Sequence, residues 1–336
     1  MAGQQNSKLK LLCIKDILER YSDEEHVLNS SEIVSKLDSI YGIQCERKSL
    51  YNDIDVLISY GVDIIKTHTP RSGFFVGARR FELAEIRLLC DAVQAADFIS
   101  KTKTRQLLER IEGFASVYQA SRLKEQVYID SRPKCENELI FYSIDEIDRA
   151  IKSNTMVKLQ YARRKLGEKF AAEKIIKEFV VSPYAMIWSG DHYYLVANNG
   201  KYDNLMNLRI DRIVKAEKLD AKSRPFSEVS SYKNRFDAAD YARKTFNMFT
   251  GKEETIELMC SNELLEEMLD RFGDGATLRR FDDTHFTLRT VAFVNDGLVS
   301  WIMQFGDGIR AVSPDSLKKM TKEKAQRVLS LYADGK

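Results

Sequence analysis

The sequence has no run of about 18 apolar residues, the length a helix needs to cross a bilayer. Its N-terminal stretch, MAGQQNSKLKLLCIKDILERY, also lacks the apolar core of a signal peptide. Both absences lead us to expect a cytoplasmic chain with no membrane partner. Cysteine is scarce: five residues, Cys13, Cys45, Cys90, Cys135 and Cys260, scattered, odd in number and never in CxxC spacing. That pattern argues against a structural zinc site or a disulfide framework and leaves mostly buried thiols. The four histidines, His26, His68, His192 and His285, stand far apart, so no catalytic or metal cluster is expected. No GxxxxGK[ST], HExxH or GxSxG motif occurs, and Asp282-Asp283 fall in a turn. We therefore expect no enzyme, no catalytic residue, no metal ligand and no cofactor. A charge excess is lacking too. The net charge is +2, and residues 1–80 carry as many Asp and Glu as Lys and Arg, so a nucleic-acid partner must be argued from local placement.

What is present is a succession of patterned segments, long enough in total for two or three domains. Residues 8–21 place Leu11, Ile14, Leu18 and Tyr21 on one helical face. Asn29-Ser-Ser-Glu32 reads as a capping box opening a second helix with Ile33, Val34, Leu37 and Ile40 as its buried stripe. Tyr41-Gly42-Ile43 gives a short turn, and a third helix runs from about Glu46 to Tyr60 over Leu50, Ile54 and Leu57. Its other face carries Arg47, Lys48, Tyr51, Asn52 and Asp55 in a single stripe. Arg and Lys can neutralise phosphates or reach guanine, Asn can pair bidentately with adenine, and Tyr can donate to phosphate. Ile64-Ile65-Lys66 and Phe74-Phe75-Val76 then read as a hairpin, with Lys66, His68 and Arg71 near its tip. Helix, capped helix, turn, helix and hairpin together resemble a winged helix-turn-helix of the DeoR-like type, with ERKSLYNDIDVL similar to its recognition helix. A charged helix face is also what plain solvation produces, and Asp55 on the stripe is awkward for a phosphate.

Residues 81–140 hold two amphipathic stretches, FELAEIRLLCDAVQAADFI and TRQLLERIEGFASVYQASRL, separated by SKTK. The spacing predicts an antiparallel helical pair that either caps the head or forms a dimer interface. Val127-Tyr128-Ile129 reads as a strand and Pro133 as a loop.

Further on, Ile144–Ile151 reads as a short helix, Val157–Tyr161 as a strand, Phe179–Trp188 and Tyr193–Ala197 as a hairpin turning at Ser189-Gly190-Asp191, and Leu205–Ile213 as another strand. The run Ser182-Pro183-Tyr184, Tyr193-Tyr194-Leu195 and Arg209-Ile210-Asp211-Arg212-Ile213 resembles the WYL domain of bacterial transcription regulators. Tyr193 stands where the family's usual triad has Trp. The resemblance implies a small SH3/Sm-like β-barrel that binds a nucleotide or single-stranded nucleic-acid effector. Alternation places Asn207, Arg209 and Asp211 on one side of their strand. Together with Tyr184, His192 and Tyr194 on neighbouring strands, and with Arg163, Ser182 and Arg212, these residues would suit phosphate and stacked bases. Tyr193 and Leu195 are expected in the core, and Arg212 has pairing with Asp211 or with a helix terminus as its alternative role.

After a linker at 221–250 with a helix over Asp237–Phe249, residues 251–336 alternate as strand, helix, strand, strand, helix, strand and a final helix, Pro314–Tyr332. This βαββαβ order is that of a ferredoxin-like sandwich and resembles the WCX extension that often follows WYL. Trp301 is expected in its core. Arg279, Arg280, Arg289 and Arg310 are either a solvated face or an extension of an anion site.

The sequence therefore reads as an α+β multidomain chain. Its segments are a winged helix-turn-helix (1–80), a helical connector (81–140), a WYL sensor (141–220), a linker (221–250) and a WCX domain (251–336). The resemblance implies a homodimeric regulator that binds a double-stranded, inverted-repeat operator under effector control. The alternative is an accessory protein that binds single-stranded nucleic acid and modulates a defence or repair nuclease.

Overall fold

The computed structural model describes residues 2–126, 134–167, 172–230, 232 and 236–333. The chain divides into two compact units, Met1–Glu136 and Asn137–Lys336. The expected strand at Val127–Ile129 and the loop at Pro133 lie outside the described residues.

In the first unit, helices α1 (Ala2–Tyr21), α2 (Ser30–Tyr41) and α3 (Arg47–Tyr60) precede the strands β1 (Ile64–Thr67) and β2 (Gly73–Val76). The capping box forms as its sequence implies. The Asn29 side chain accepts from the Glu32 amide at 3.0 Å, and Glu32 accepts from the Asn29 amide at 2.8 Å. Gly42 ends α2 in the left-handed region at φ 66°. Ile14, Ile17, Leu18, Ile33, Leu37, Leu50, Ile54 and Leu57 close one core with Phe74 and Val76 of the hairpin. Each such side chain contributes about 1.5–3 kcal/mol when fully buried. β1 and β2 pair antiparallel, and Leu28 bridges to Phe74 beyond them. That approach requires glycine at 73, because a Cβ there would stand 2.5 Å from the Leu28 carbonyl oxygen.

Three helices follow rather than the expected pair: α4 (Leu83–Ala95), α5 (Lys101–Glu112) and α6 (Val117–Gln126). The break comes at Gly113, and Ser116 opens α6 with its own reciprocal cap. Its Oγ accepts from the Gln119 amide, and Gln119 Oε1 accepts from the Ser116 amide.

The second unit opens with α7 (Ile140–Lys152), longer at both ends than its sequence pattern suggests. Five strands follow: β3 (Thr155–Leu166), β4 (Ala172–Ser189), β5 (His192–Asn198), β6 (Met206–Arg209) and β7 (Ile213–Lys222). They form one antiparallel sheet in the order β6-β5-β4-β3-β7. No pairing among the described residues joins β6 to β7, so the sheet is open by its hydrogen bonds. The expected strand over 205–213 stops at Arg209, and residues 210–212 form a 3-10 turn leading directly into β7. Val157, Leu159, Tyr161, Val181, Leu195, Leu208, Ile210 and Ile213 are buried, as are Ile140, Ile147 and Ala150 of α7.

The rest of this unit comprises α8 (Ala238–Lys244), shorter than the expected helix, then β8 (Lys252–Ser261), α9 (Leu265–Phe272), β9 (Thr277–Arg280), β10 (His285–Val294), α10 (Asp296–Met303), β11 (Ile309–Ser313) and α11 (Asp315–Ala333). The sheet order is β11-β8-β10-β9, antiparallel throughout. Alternate residues Ile256, Leu258, Cys260, Phe286, Leu288, Ile309 and Ala311 form its core with Met268, Phe272, Leu298 and Ile302, and Trp301 packs against it. No described helix is long and apolar enough to cross a membrane. Cys13, Cys90 and Cys260 are buried, and none of the five cysteines, all among the described residues, forms a disulfide.

Candidate nucleic-acid interface and effector face

The buried stripe of α3 fixes what its outer face presents. With Leu50, Ile54 and Leu57 turned inward, Arg47, Lys48, Tyr51, Asn52 and Asp55 are all exposed. The inner edge is pinned to α1 by Lys10, whose Nζ lies 2.7 Å from both Asp53 and Ser49. Tyr51 joins helix to hairpin. Its ring stands edge-on to Phe74 of β2 at 5.8 Å, and Lys66 Nζ of β1 lies 5.9 Å from its centroid. The helix face and the hairpin are therefore one continuous surface.

Two of the arginines expected to face DNA already have partners. Arg47 donates to Ser31 Oγ at 2.5 Å, a neutral acceptor it can exchange cheaply. Arg71 donates to both carboxylate oxygens of Glu32, at 2.7 and 3.0 Å, and to the Val27 carbonyl. Arg71 thus ties the hairpin loop to the α2 N-terminus. His68 is exposed in the same loop. Of the expected contact residues, Arg47, Lys48, Tyr51, Asn52 and Lys66 share this surface, whereas Arg71 is held by a carboxylate.

Behind the head lies a cluster that the sequence reading missed. Asp23, in the α1–α2 loop, is buried and accepts from the Ser116 hydroxyl of α6 and from the backbone and ring of His26. Burial alone would raise its carboxyl, but these hydrogen bonds outweigh it and hold the group below the ordinary carboxylate range. The His26 ring stacks on Tyr118 at 3.7 Å and 6°, and Arg122 forms a fork with Glu25. Arg79 donates to the carbonyls of Glu19 and Ser22. A cavity of about 280 Å³ opens among these residues. The available signal was the Ser116-x-x-Gln119 capping pattern, which marks a helix start there.

On the five-stranded sheet, the register sets Tyr194 directly opposite Arg209, and Val196 opposite Asn207. His192 lies on the same face, its ring 6.2 Å from that of Tyr194 and edge-on. Asp211 sits in the 3-10 turn rather than on the strand, so simple alternation does not place it. The turn nevertheless brings it under Arg209, which donates to both its oxygens at 3.0 and 2.7 Å. That hydrogen-bonded pair keeps the Arg209 guanidinium firmly charged. Burial pushes the Tyr194 phenol up. Arg212 is exposed, and Arg163 lies 6.0 Å from the ring of the buried Tyr161.

Three expected effector ligands do other work. Ser182 Oγ accepts from the Arg224 amide at 2.9 Å, and the Tyr184 hydroxyl donates to the Arg224 carbonyl at 2.9 Å. Asn207 donates to the Met248 carbonyl at 2.7 Å and accepts from Tyr241 at 3.2 Å. All three fasten Arg224, Tyr241 and Met248 onto the sheet, so the described residues of this segment form a structural layer rather than a loose linker. Ile187, Val196 and Leu205 pack there against Val229, Tyr241, Met248 and Phe293. An aromatic series, Tyr184, Phe226, Phe236, Tyr241 and Phe293, runs through the layer with centroids 4.9 to 5.5 Å apart. A cavity of about 600 Å³ opens beside it, lined in part by Asp203, Glu228, Tyr241 and Lys252.

On the C-terminal sheet, Arg289 and Arg310 are exposed between buried neighbours, Arg279 is exposed beside the half-buried Leu278, and Arg280 pairs with Asp283. No group of metal-binding side chains occurs among the described residues.

Residues 143–218 match the family model of the WYL domain, so a WYL domain spans the helix α7 and most of the five-stranded sheet. No curated protein matches the chain. Among solved structures the chain is similar to proteasome accessory factor B/C (PafBC) of Arthrobacter aurescens, at 17% identity and a TM-score of 0.28. That likeness covers 94% of this chain and 47% of the other, so this chain spans about half the length of that protein.

Proposed function

We propose that the protein is a homodimeric cytoplasmic transcription regulator without enzymatic activity, one that binds an inverted-repeat duplex operator under effector control. In this reading residues 1–80 are a winged helix-turn-helix, with α3 as recognition helix and the β1–β2 hairpin as wing. The carrying observation is the exposed stripe Arg47, Lys48, Tyr51 and Asn52, continued onto the wing by Lys66 over Tyr51. Two cations, an amide and a phenol on one convex helix suit phosphates and the donor–acceptor edges of a major groove. Arg71 and His68 complete the surface, Arg71 by exchanging Glu32 for a phosphate.

Residues 81–140 act as connector and dimer contact. Support comes from α4, where Leu88, 69% exposed, is flanked by exposed Ala84, Ala92 and Ala95. A two-fold dimer matches a palindromic site. Residues 141–220 are read as an SH3/Sm-like barrel. Support for this reading is that the outermost strands β6 and β7 follow one another in the chain through the three-residue turn 210–212. Residues 221–250 join this barrel to a ferredoxin-like WCX sandwich (251–336), a reading supported by the βαββαβ sequence and the order β11-β8-β10-β9.

The effector, a nucleotide or single-stranded nucleic acid, is assigned to Tyr194, Arg209 and His192, with Arg163 and Arg212 at the rim. It shifts DNA binding only if its affinity differs between the two states of the dimer. A gel-shift titration of Arg47→Ala and Tyr51→Ala on an operator tests the DNA face. Weaker binding with an unchanged circular dichroism spectrum supports it, and unchanged affinity refutes it. Binding of single strands without any duplex preference would instead favour the accessory nucleic-acid binder.

A further inference from the structure

The pairing of β3 and β4 runs beyond the sheet that contains them. β3 meets β7 only as far as Tyr161, and β4 meets β5 only from Ser182. Ala162–Leu166 and Ala172–Ile176 therefore pair with each other alone, as a two-stranded ribbon. Such a ribbon has no core of its own and is marginal in isolation. Its side chains are correspondingly exposed, including Leu166, Ile175 and Ile176. From Ala162 to Lys177 the sequence carries six bases, Arg163, Arg164, Lys165, Lys169, Lys174 and Lys177, against two acids, Glu168 and Glu173. This concentration of positive charge stands out in a chain whose net charge is only +2.

The distribution of these charges identifies the partner. The register puts Arg163, Lys165 and Lys177 on one face, where Glu173 stands opposite Lys165, and Arg164 opposite Lys174 on the other. A flat acidic protein surface meets one face of a ribbon. A groove flanked by two phosphate strands meets both. The DNA major groove, about 12 Å wide and about 8.5 Å deep, admits a two-stranded β-ribbon. Five residues at about 3.4 Å each give roughly 17 Å of reach, more than the depth requires.

We propose that the β3–β4 ribbon is a second duplex-DNA contact, inserting into a major groove and neutralising phosphates on both sides. It rests on duplex DNA being the protein's partner, and it adds a sequence-tolerant contact separate from α3 and the hairpin.

The test is the salt dependence of duplex binding by the full chain. Each phosphate neutralised contributes about 0.9 to the slope of log K against log salt. Replacing Lys165, Lys174 and Lys177 together by Gln should make the slope shallower by about 2–3 and weaken binding at about 0.15 M salt at least tenfold. Circular dichroism and the melting temperature should stay at wild-type values, since exposed substitutions shift stability by about 0.5 kcal/mol or less. Asn52→Ala, at the exposed position of the stripe suited to reading adenine, should reduce preference for the operator over random duplex, whereas the triple variant should weaken both alike. A wild-type chain that binds no duplex overturns the regulator reading and this one together. A wild-type chain that binds while the triple variant keeps its slope overturns the ribbon alone. A triple variant that keeps the slope but sediments as a smaller species makes the ribbon a contact between copies, which also overturns it.

Discussion

The carboxylate of Asp23, in the loop between α1 and α2, accepts a hydrogen bond from the hydroxyl of Ser116 at the start of α6, 93 residues further along the chain. Hydrogen bonds to a buried charged group are each worth about 1.5–3 kcal/mol, so this contact fixes how the first three helices sit on the connector.

Stability should respond to its loss. Asp23→Asn and Ser116→Ala should each destabilise the first unit by about 1–3 kcal/mol at neutral pH. The Asp23 carboxyl is depressed in the folded chain, so its contribution is present above the ordinary carboxylate value of 3.8 and is lost as pH falls toward the folded value. The difference between wild type and Asp23→Asn should therefore narrow in acid. Amide hydrogen exchange of α1 and α6 against pH checks this. A difference that widens below pH 4 would contradict it.

The sheet and the layer over it should be coupled through Asn207. Asn207→Ala leaves the Met248 carbonyl and the Tyr241 hydroxyl without that partner, at a cost of about 2 kcal/mol. Tyr241→Phe should cost about 1 kcal/mol. Burial pushes the Tyr241 phenol up to about 12, so it stays protonated through neutral pH. Both tryptophans, Trp188 and Trp301, lie in the second unit, so their fluorescence during a urea melt reports this unit alone.

Much of the first unit was legible in its sequence. The spacing of Ile14, Leu18, Ile33, Leu37, Leu50 and Ile54 and the Asn29–Glu32 box are local signals, and they produced local structure. The break between α5 and α6 was missed because apolar spacing continues through Gly113 from Ile111 to Val117 without a proline. In the second unit alternation puts Asn207 and Arg209 on one side of β6, but it gives neither the register that sets Arg209 opposite Tyr194 nor the end of β6 at Arg209. Ile210 and Ile213 are both buried, and only a tight turn allows two such positions three residues apart. The roles of Ser182, Tyr184 and Asn207 depend on partners about 40 residues away, Arg224 and Met248. Their polarity alone suggested a ligand.

Arg209 should govern the effector response. Arg209→Ala alone leaves the half-buried Asp211 carboxylate without its fork, so the double change Arg209→Ala, Asp211→Ala is the cleaner variant. It should retain operator binding and lose the response to added nucleotide or oligonucleotide. Arg209→Lys should also fail, because an ammonium cannot reproduce the fork. A fully responsive double variant would remove the effector from this face.

Leu88→Glu should convert the dimer to a monomer in sedimentation and weaken operator binding at least tenfold, since one half-site contact is lost. A dimer that survives the change would move the interface away from α4.

The most direct measurement is selection of binding sites from random duplex DNA by the full-length protein, repeated with Arg47→Ala. The account predicts a defined inverted repeat, bound roughly ten- to a hundredfold more weakly by the variant. Selection that enriches no duplex, or a repeat that Arg47→Ala binds as well as wild type, would contradict it.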